Sequence, residues 1–417
     1  MRSLSLFLIA TLLPRGGWTA AIDRTDEASE ASITDGKTEC TSYDYPPVTS
    51  QLSKFPGNWQ TAKILQNDGV ALDLWNSISN SIPNIAVKST STSGYSASDP
   101  DCWWTYSQCT EPKLGGLQPD ITAPPEPSTL GYGFDDGPAC DHNVFYDFLA
   151  SNNQKATFFY IGSNVQNYPL EAQRGLADGH EICVHTWSHP HMTTLASEDA
   201  FAEIYYSVRI QAVKLAVGVT PTCWRPPYGD IDDRIRAISK ALGLQTFMWG
   251  YDTDDADVGD GSSVTEADVE NLYQQFISKA QKGDFNNTGA IVLTHELNNF
   301  TMSEAVKHYP QLKAAFKNIV PVGVGLNITQ PYLETNYTLP SFEQYIAGNT
   351  VLTGTTTNVS ISSTTTSEAP AQSSSSSSSP PVNSGNSDKN GAVPEAVVFR
   401  GSVLLTGLMA VITTFLL

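Results

Sequence analysis

From about residue 128 onward, short apolar runs alternate with longer amphipathic ones. The runs "TLGYGF", "ATFFYIG", "EICVHT", "PTCWRP", "LQTFMWG", "GAIVLTH" and "IVPVGVGL" read as strands. Between them "EDAFAEIYYSVRIQAVKLAV", "DIDDRIRAISKAL" and "TEADVENLYQQFISKAQK" repeat their apolar positions at helical spacing. Strands that alternate with helices in this way predict a parallel α/β fold, and seven strands in this length suit a barrel better than an open sheet. Residues 21–127 lack that rhythm. They are rich in Ser, Thr, Pro and Asp, with one helical patch in "TAKILQNDGVALDLWNSI", and read as a loop-rich segment packed on or tethered to the domain at 128–345.

The two ends follow other patterns. "MRSLSLFLIATLLPRGGWTA" has a basic residue, an apolar run and small residues near Ala20, the order of a secretory signal over 1–20. Residues 346–390 are dominated by Ser and Thr, cannot build a core, and read as a disordered stalk. Residues 391–417 then give a spacer and an apolar tail with no charge after Arg400. That order predicts a glycosylphosphatidylinositol (GPI) anchor, attached at Asn390 or a nearby small residue, as the chain's one link to a membrane. Five Asn-x-Ser/Thr sequons, at Asn286, Asn299, Asn327, Asn336 and Asn358, fit a secreted glycoprotein at the cell surface or wall. Six cysteines without a CxxC pair predict disulfides rather than a thiolate metal site. Cys102 and Cys109 are near enough for a local bridge; Cys183 and Cys223, on adjacent candidate strands, either bridge or lie as two small buried residues. The formal charge of −20 argues against nucleic acid and suits attraction to polycations.

The candidate chemistry lies where strands end. Asp135 and Asp136 close the first strand, His185 and His189 follow the third, and Arg225 ends the fourth. Asp252–Asp255 follow the fifth, and His295 ends the sixth. In a parallel barrel these ends meet at one mouth. A spacing of four puts His185 and His189 on one face if the segment is a helical turn, although His191 is close enough to be the second ligand instead. Together with Asp136 they offer two imidazoles and a carboxylate, a donor set for catalytic zinc or a similar divalent ion. Asp135 is then free to act as a base, Arg225 to keep it ionised, His295 to act as an acid, and one carboxylate of "DTDD" to orient His295. The zincin pattern is absent: "HEICVH" is one residue too long and "HELNNF" lacks the second histidine.

"GFDDGP", "HTWSH", "RPPYG", the Trp249 to "DTDD" segment and "LTHE" resemble, in order and spacing, the five motifs of the polysaccharide deacetylases with a NodB-like domain. With secretion, stalk and anchor, the resemblance is strongest to fungal chitin deacetylases. It implies a distorted (β/α) barrel of seven or eight strands, a divalent metal (zinc, with cobalt as an alternative), and hydrolysis of N-acetyl groups in chitin or chitin oligomers of the cell wall. It implies Asp135 as base, Asp136, His185 and His189 as metal ligands, His295 as acid, Arg225 as support for Asp135, and Asp255 as the partner of His295. It also implies an oxyanion contact from the backbone N–H of Tyr228 and an acetyl pocket lined by Leu293. Two residues depart from the family pattern. Ala256 stands where the family has Trp, leaving Trp187, Trp224 or Tyr251 to wall the pocket, and Glu296 stands where Asp is common, a change expected to be tolerated. Peptidoglycan or acetylated xylan remain alternative polymers. A chitin-binding protein without catalysis is the alternative of another class, and the complete polar set argues against it. His142, His180 and His308 are expected to be structural or exposed.

Overall fold

The computed structural model describes residues 24–212, 217–259 and 261–353. The stretches expected as secretory signal and anchor signal, most of the expected stalk, Asn358 and Asn390 lie outside the described residues.

Among the described residues nine short strands form, all paired in parallel. They are β1 (Thr129–Gly131), β2 (Gly133–Asp135), β3 (Thr157–Tyr160), β4 (Glu181–Val184), β5 (Cys223–Trp224), β6 (Gln245–Thr246), β7 (Tyr251–Asp252), β8 (Ala290–Leu293) and β9 (Asn318–Val320). One sheet runs β2-β3-β4-β5-β6, the other β7-β8-β1-β9. The chain itself joins them twice, through Tyr132 between β1 and β2 and through residues 247–250 between β6 and β7. A bridge between Asp135 and His295 closes the ring. The result is the expected distorted barrel.

Its distortion has local causes. At Tyr132 the first strand changes neighbour: its N–H donates to Val320 of β9, and its C=O accepts from Thr157 of β3. The run expected as a strand through "IVPVGVGL" stops at Val320. Pro321 has no N–H for the ladder, and Val322–Gly325 turns helical. The Val322 and Gly323 N–H groups donate to the Thr157 and Glu181 side chains instead. "LQTFMWG" likewise splits, because Ile121 of the N-terminal segment wedges against Phe247. Ile121 N–H donates to Thr246, and its C=O accepts from Met248.

The helix Glu266–Lys282 illustrates how the outer layer is set. Thr265 and Asp268 form a reciprocal capping box, Val269, Tyr273, Phe276 and Ile277 form the buried stripe, and Gly283 ends the helix at φ 86°.

The N-terminal segment is part of the same core. Val48, Phe55, Ala62, Ala71, Leu74 and Ile78 are buried in one cluster with the barrel's Phe201, Tyr206 and Trp187. Three disulfides form: Cys40–Cys140, Cys102–Cys109 and Cys183–Cys223. The first, which no spacing in the sequence indicates, ties the N-terminal segment to the loop after Asp136. At the other end the packed chain continues to Thr353, which pairs with Thr338.

Buried carboxyls fasten the N-terminal segment. Glu39 accepts from Asn143 N–H at 2.7 Å, and Tyr43 donates to Glu171 at 2.5 Å. Burial raises both glutamates from an ordinary 4.5 to about 8. A raised folded pKa means the fold holds a proton that the unfolded chain has released. The stability these groups contribute is full below their ordinary value and lost as pH rises through about 8. The buried histidines His142 and His180, both lowered, act in the opposite sense, but their effect is complete above their ordinary 6.5. The thermal midpoint is therefore expected to fall between pH ~6.5 and ~8.5, and Glu39→Gln with Glu171→Gln should flatten that slope. A midpoint that rises across the window would mean these carboxyls are ionised in the fold.

Candidate active site

Asp135 is the last residue of β2. Its N–H donates to Thr294 at 3.0 Å and its C=O accepts from Glu296 at 2.8 Å, which fixes it beside His295. Adjacent residues of a strand point to opposite faces. Asp136 escapes that rule by leaving the strand at φ 72°, a left-handed conformation that Asp tolerates better than most side chains. Both aspartates thereby line one cleft of ≈ 800 Å³. Asn164 Nδ2 holds the Asp136 carbonyl at 2.7 Å.

The loop after Asp136 rests on Glu296, which is wholly buried. Its carboxyl accepts from Ala139 N–H at 3.0 Å and Tyr146 O–H at 3.0 Å, and meets His142 Nδ1 at 2.7 Å. Gly137 permits this approach, since a Cβ there would collide with the Glu296 carboxyl. Burial keeps His142 neutral, down to about 3, and lifts Glu296 to about 8. The pair therefore supports the loop without net charge at neutral pH.

Asp136, His185 and His189 converge, with one ligand atom from each lying within 4.8 Å of the others. The route differs from the helical turn that the spacing suggested. Residues 185–189 form an irregular loop after β4, with Thr186 at φ 67° and His189 at φ 57°. The Thr186 hydroxyl accepts from His189 N–H at 3.1 Å and closes the turn. His191 is not in the group; its ring stacks on Tyr228 at 4.1 Å. The donor chemistry fits a divalent cation. His185 Nδ1 lies 2.7 Å from the Arg225 carbonyl, which can only accept, so Nδ1 carries a hydrogen and Nε2 is the ring atom turned to the triad and able to ligate. Asp136 Oδ1 lies 3.1 Å from His189 Nε2 and 3.4 Å from His185 Nε2. It is buried and makes no aligned hydrogen bond. Such an orphaned oxygen facing imidazole nitrogens is what an ion at their centre satisfies.

The second aspartate has a different partner. Arg225 Nη1 donates to Asp135 Oδ1 at 2.6 Å. The guanidinium is wholly buried, donates also to the Phe247 and Met248 carbonyls, and lies 4.0 Å over the Phe159 ring. Asp135 Oδ2 faces His185 Nε2 at 3.7 Å. Across the mouth, His295 Nδ1 lies 2.6 Å from Asp255 Oδ1, and its own N–H donates to Asp255 Oδ2 at 3.1 Å. Burial works against a charge on His295, but Asp255, with Asp136 and Asp135 beyond it, raises its pKa to about 10. The mouth thus holds a carboxylate paired with arginine, a triad of cation-ligand chemistry, and a histidine held toward its protonated form.

Leu293 and Tyr228 line the same cleft. Tyr228 sits at φ 57° and is 56 % exposed. None of the three aromatics expected to replace the family Trp at Ala256 reaches the cleft. Trp187 is buried on Phe55, Trp224 is buried with its N–H on Thr246, and Tyr251 packs on Phe276 and Phe285. Trp249 lines it instead. His142, His180 and His308 are buried structural groups. Asn286, Asn299, Asn327 and Asn336 are exposed, as glycan acceptors must be. Sequence reasoning missed the supports of the aspartate loop, Glu296 with His142 and Cys40–Cys140, because nothing in their spacing links them. It also missed Trp59, an N-terminal residue that lines the cleft.

A family model described as polysaccharide deacetylase matches residues 122–247. Chitin deacetylase 2 of Cryptococcus neoformans var. grubii serotype A is 52% identical over 343 residues, covering 80% of this chain and 75% of the relative. The chitin deacetylase of Amylomyces rouxii is 45% identical over 317 residues, covering 73% and 74%. Among solved structures, the chitin deacetylase from Colletotrichum lindemuthianum is 26% identical, covers 50% of this chain and 92% of that one, and superposes with a TM-score of 0.45.

Proposed function

The chain belongs to the polysaccharide deacetylase family, and from that premise we propose that it hydrolyses the N-acetyl groups of chitin, giving chitosan and acetate at the cell wall. The single observation that carries this reading is the convergence of Asp135, the Asp136–His185–His189 triad and His295 on one cleft.

A divalent ion held by Asp136, His185 and His189, with zinc as the proposed metal, would supply a Lewis acid for the acetyl carbonyl and make a neighbouring water more acidic. The protein's own groups do the rest. Arg225 occupies Asp135 Oδ1, so Oδ2 is the oxygen left to take the proton of the attacking water. The water oxygen bonds to the acetyl carbon, and the carbon–nitrogen bond breaks. His295, held protonated through Asp255, delivers its proton from Nε2 to the departing sugar amine. The backbone N–H of Tyr228 is assigned to the oxyanion, and Leu293 to the acetyl methyl. The sequence patterns read as a leader, a stalk and a GPI-anchor signal support an activity outside the cell.

The test is acetate release by the purified protein from N-acetylglucosamine oligomers of graded length, beside peptidoglycan and acetylated xylan. Acetate with a matching number of free amines is expected from the chitin oligomers. Acetate from xylan or peptidoglycan alone would move the substrate to another polymer.

A further inference from the structure

We propose that Trp59 is a stacking platform that binds a pyranose ring of the polymer next to the unit being deacetylated, so that the N-terminal segment sets chain-length preference. The proposal rests on the deacetylase reading above and adds to it a residue outside the region 122–247 matched by the family model.

Trp59 is the one exposed tryptophan among the described residues, at 45 %, whereas Trp103, Trp104, Trp187, Trp224 and Trp249 are all buried. It lines the cleft that holds the aspartates and His295. Its φ of 55° is left-handed, a conformation that is strained for a bulky residue and persists only where surroundings impose it. They do so here. Trp59 N–H donates to Ser163 Oγ at 2.9 Å, Asn58 Nδ2 donates to the Ser163 carbonyl at 3.1 Å, and Trp187 Nε1 donates to the Gly57 carbonyl at 3.0 Å. The residue after Ser163 is Asn164, which holds the Asp136 carbonyl. The tip that carries Trp59 is therefore locked to the same element that positions a metal ligand. The backbone of Trp59 is thereby held in place beside the reacting centre, with its half-exposed indole in the cleft wall.

An exposed indole on a held backbone beside a catalytic cleft offers an apolar face with few side-chain torsions to order. The axial C–H groups of a pyranose ring fit such a face, while its hydroxyls remain in water. A cleft of ≈ 800 Å³ has room for more than the reacting sugar.

The test is steady-state kinetics of the metal-loaded protein on N-acetylglucosamine oligomers from dimer to hexamer. Trp59→Ala is expected to raise KM for the hexamer about tenfold, equivalent to ~1.4 kcal/mol, with a smaller rise for the dimer. The kcat for the hexamer should stay within about threefold, well inside the loss a general acid or base produces. Trp59→Tyr should recover most of the hexamer KM, and the thermal midpoint of both variants should match the parent, which a merely structural role would not give. A KM rise equal for all lengths, or none, overturns the proposal. If the unaltered protein releases no acetate from any oligomer, the deacetylase reading falls separately. Calorimetric binding of the hexamer to parent and Trp59→Ala proteins then still decides the role of Trp59, and equal affinities overturn it.

Discussion

Asp135→Asn is expected to slow acetate release by ~10²–10⁴-fold, the usual cost of losing a general base, while the protein keeps its metal. Asparagine has the same shape, and its side-chain oxygen can still accept from Arg225 at the position where Asp135 Oδ1 now does. None of the three converging ligand atoms belongs to residue 135. The change removes only a negative charge and a proton acceptor. A second consequence follows from burial. Arg225 is wholly enclosed, and with Asp135 neutralised its charge is left to two carbonyls and the Phe159 face. Breaking a buried ion pair by removing one partner costs ~3–5 kcal/mol when the charge is left uncompensated. The carbonyl contacts offset part of that here, so the variant should be less stable but folded. Thermal unfolding beside the rate measurement separates the two effects.

Asp136→Asn is expected to fail in a different way. It removes the carboxylate from a triad whose other members are imidazoles and bring no negative charge, so the site loses the charge that matches a divalent ion. Losing a partner behind a ligand already costs ~10–100-fold in metal affinity, and losing the ligand itself should exceed that. Activity falls with occupancy, and a large excess of zinc should restore part of it. The fold should survive, because Asp136 Oδ1 makes no hydrogen bond that the structure depends on. The loop that carries it is held from behind by Glu296 and by Cys40–Cys140.

These two outcomes could be framed from sequence because the site is built from strand ends, and strand ends are legible in an apolar rhythm. Asp135, Arg225 and His295 follow apolar runs, and parallel topology brings such ends together. Legibility fails where a long-range contact decides. The spacing of His185 and His189 suggested a helical turn, but the pair meets through two left-handed residues and the Thr186 hydroxyl. "IVPVGVGL" reads as one strand because its residues are all apolar or glycine, apart from a single proline. That proline ends the ladder, and the carboxyl of Glu181 and hydroxyl of Thr157 capture the freed N–H groups. The N-terminal segment has no period that announces its role. Its place comes from Phe55 stacked on Trp187, Ile121 wedged into the barrel wall and Cys40 bridged across a separation of 100 residues. Ala256 is the same kind of case: the sequence shows which side chain is missing, and only packing shows that Trp249 fills the cleft wall.

The measurement that bears most directly on the account is bound zinc and acetate release from a chitin hexamer, determined on the same preparations of the parent, Asp135→Asn and Asp136→Asn proteins. A split between the two variants is expected. Asp135→Asn carries the parent's zinc and turns over ~10²–10⁴-fold more slowly, while Asp136→Asn carries little zinc and loses activity in proportion. Metal lost from Asp135→Asn and retained by Asp136→Asn, or parent-like acetate release by both, would contradict it.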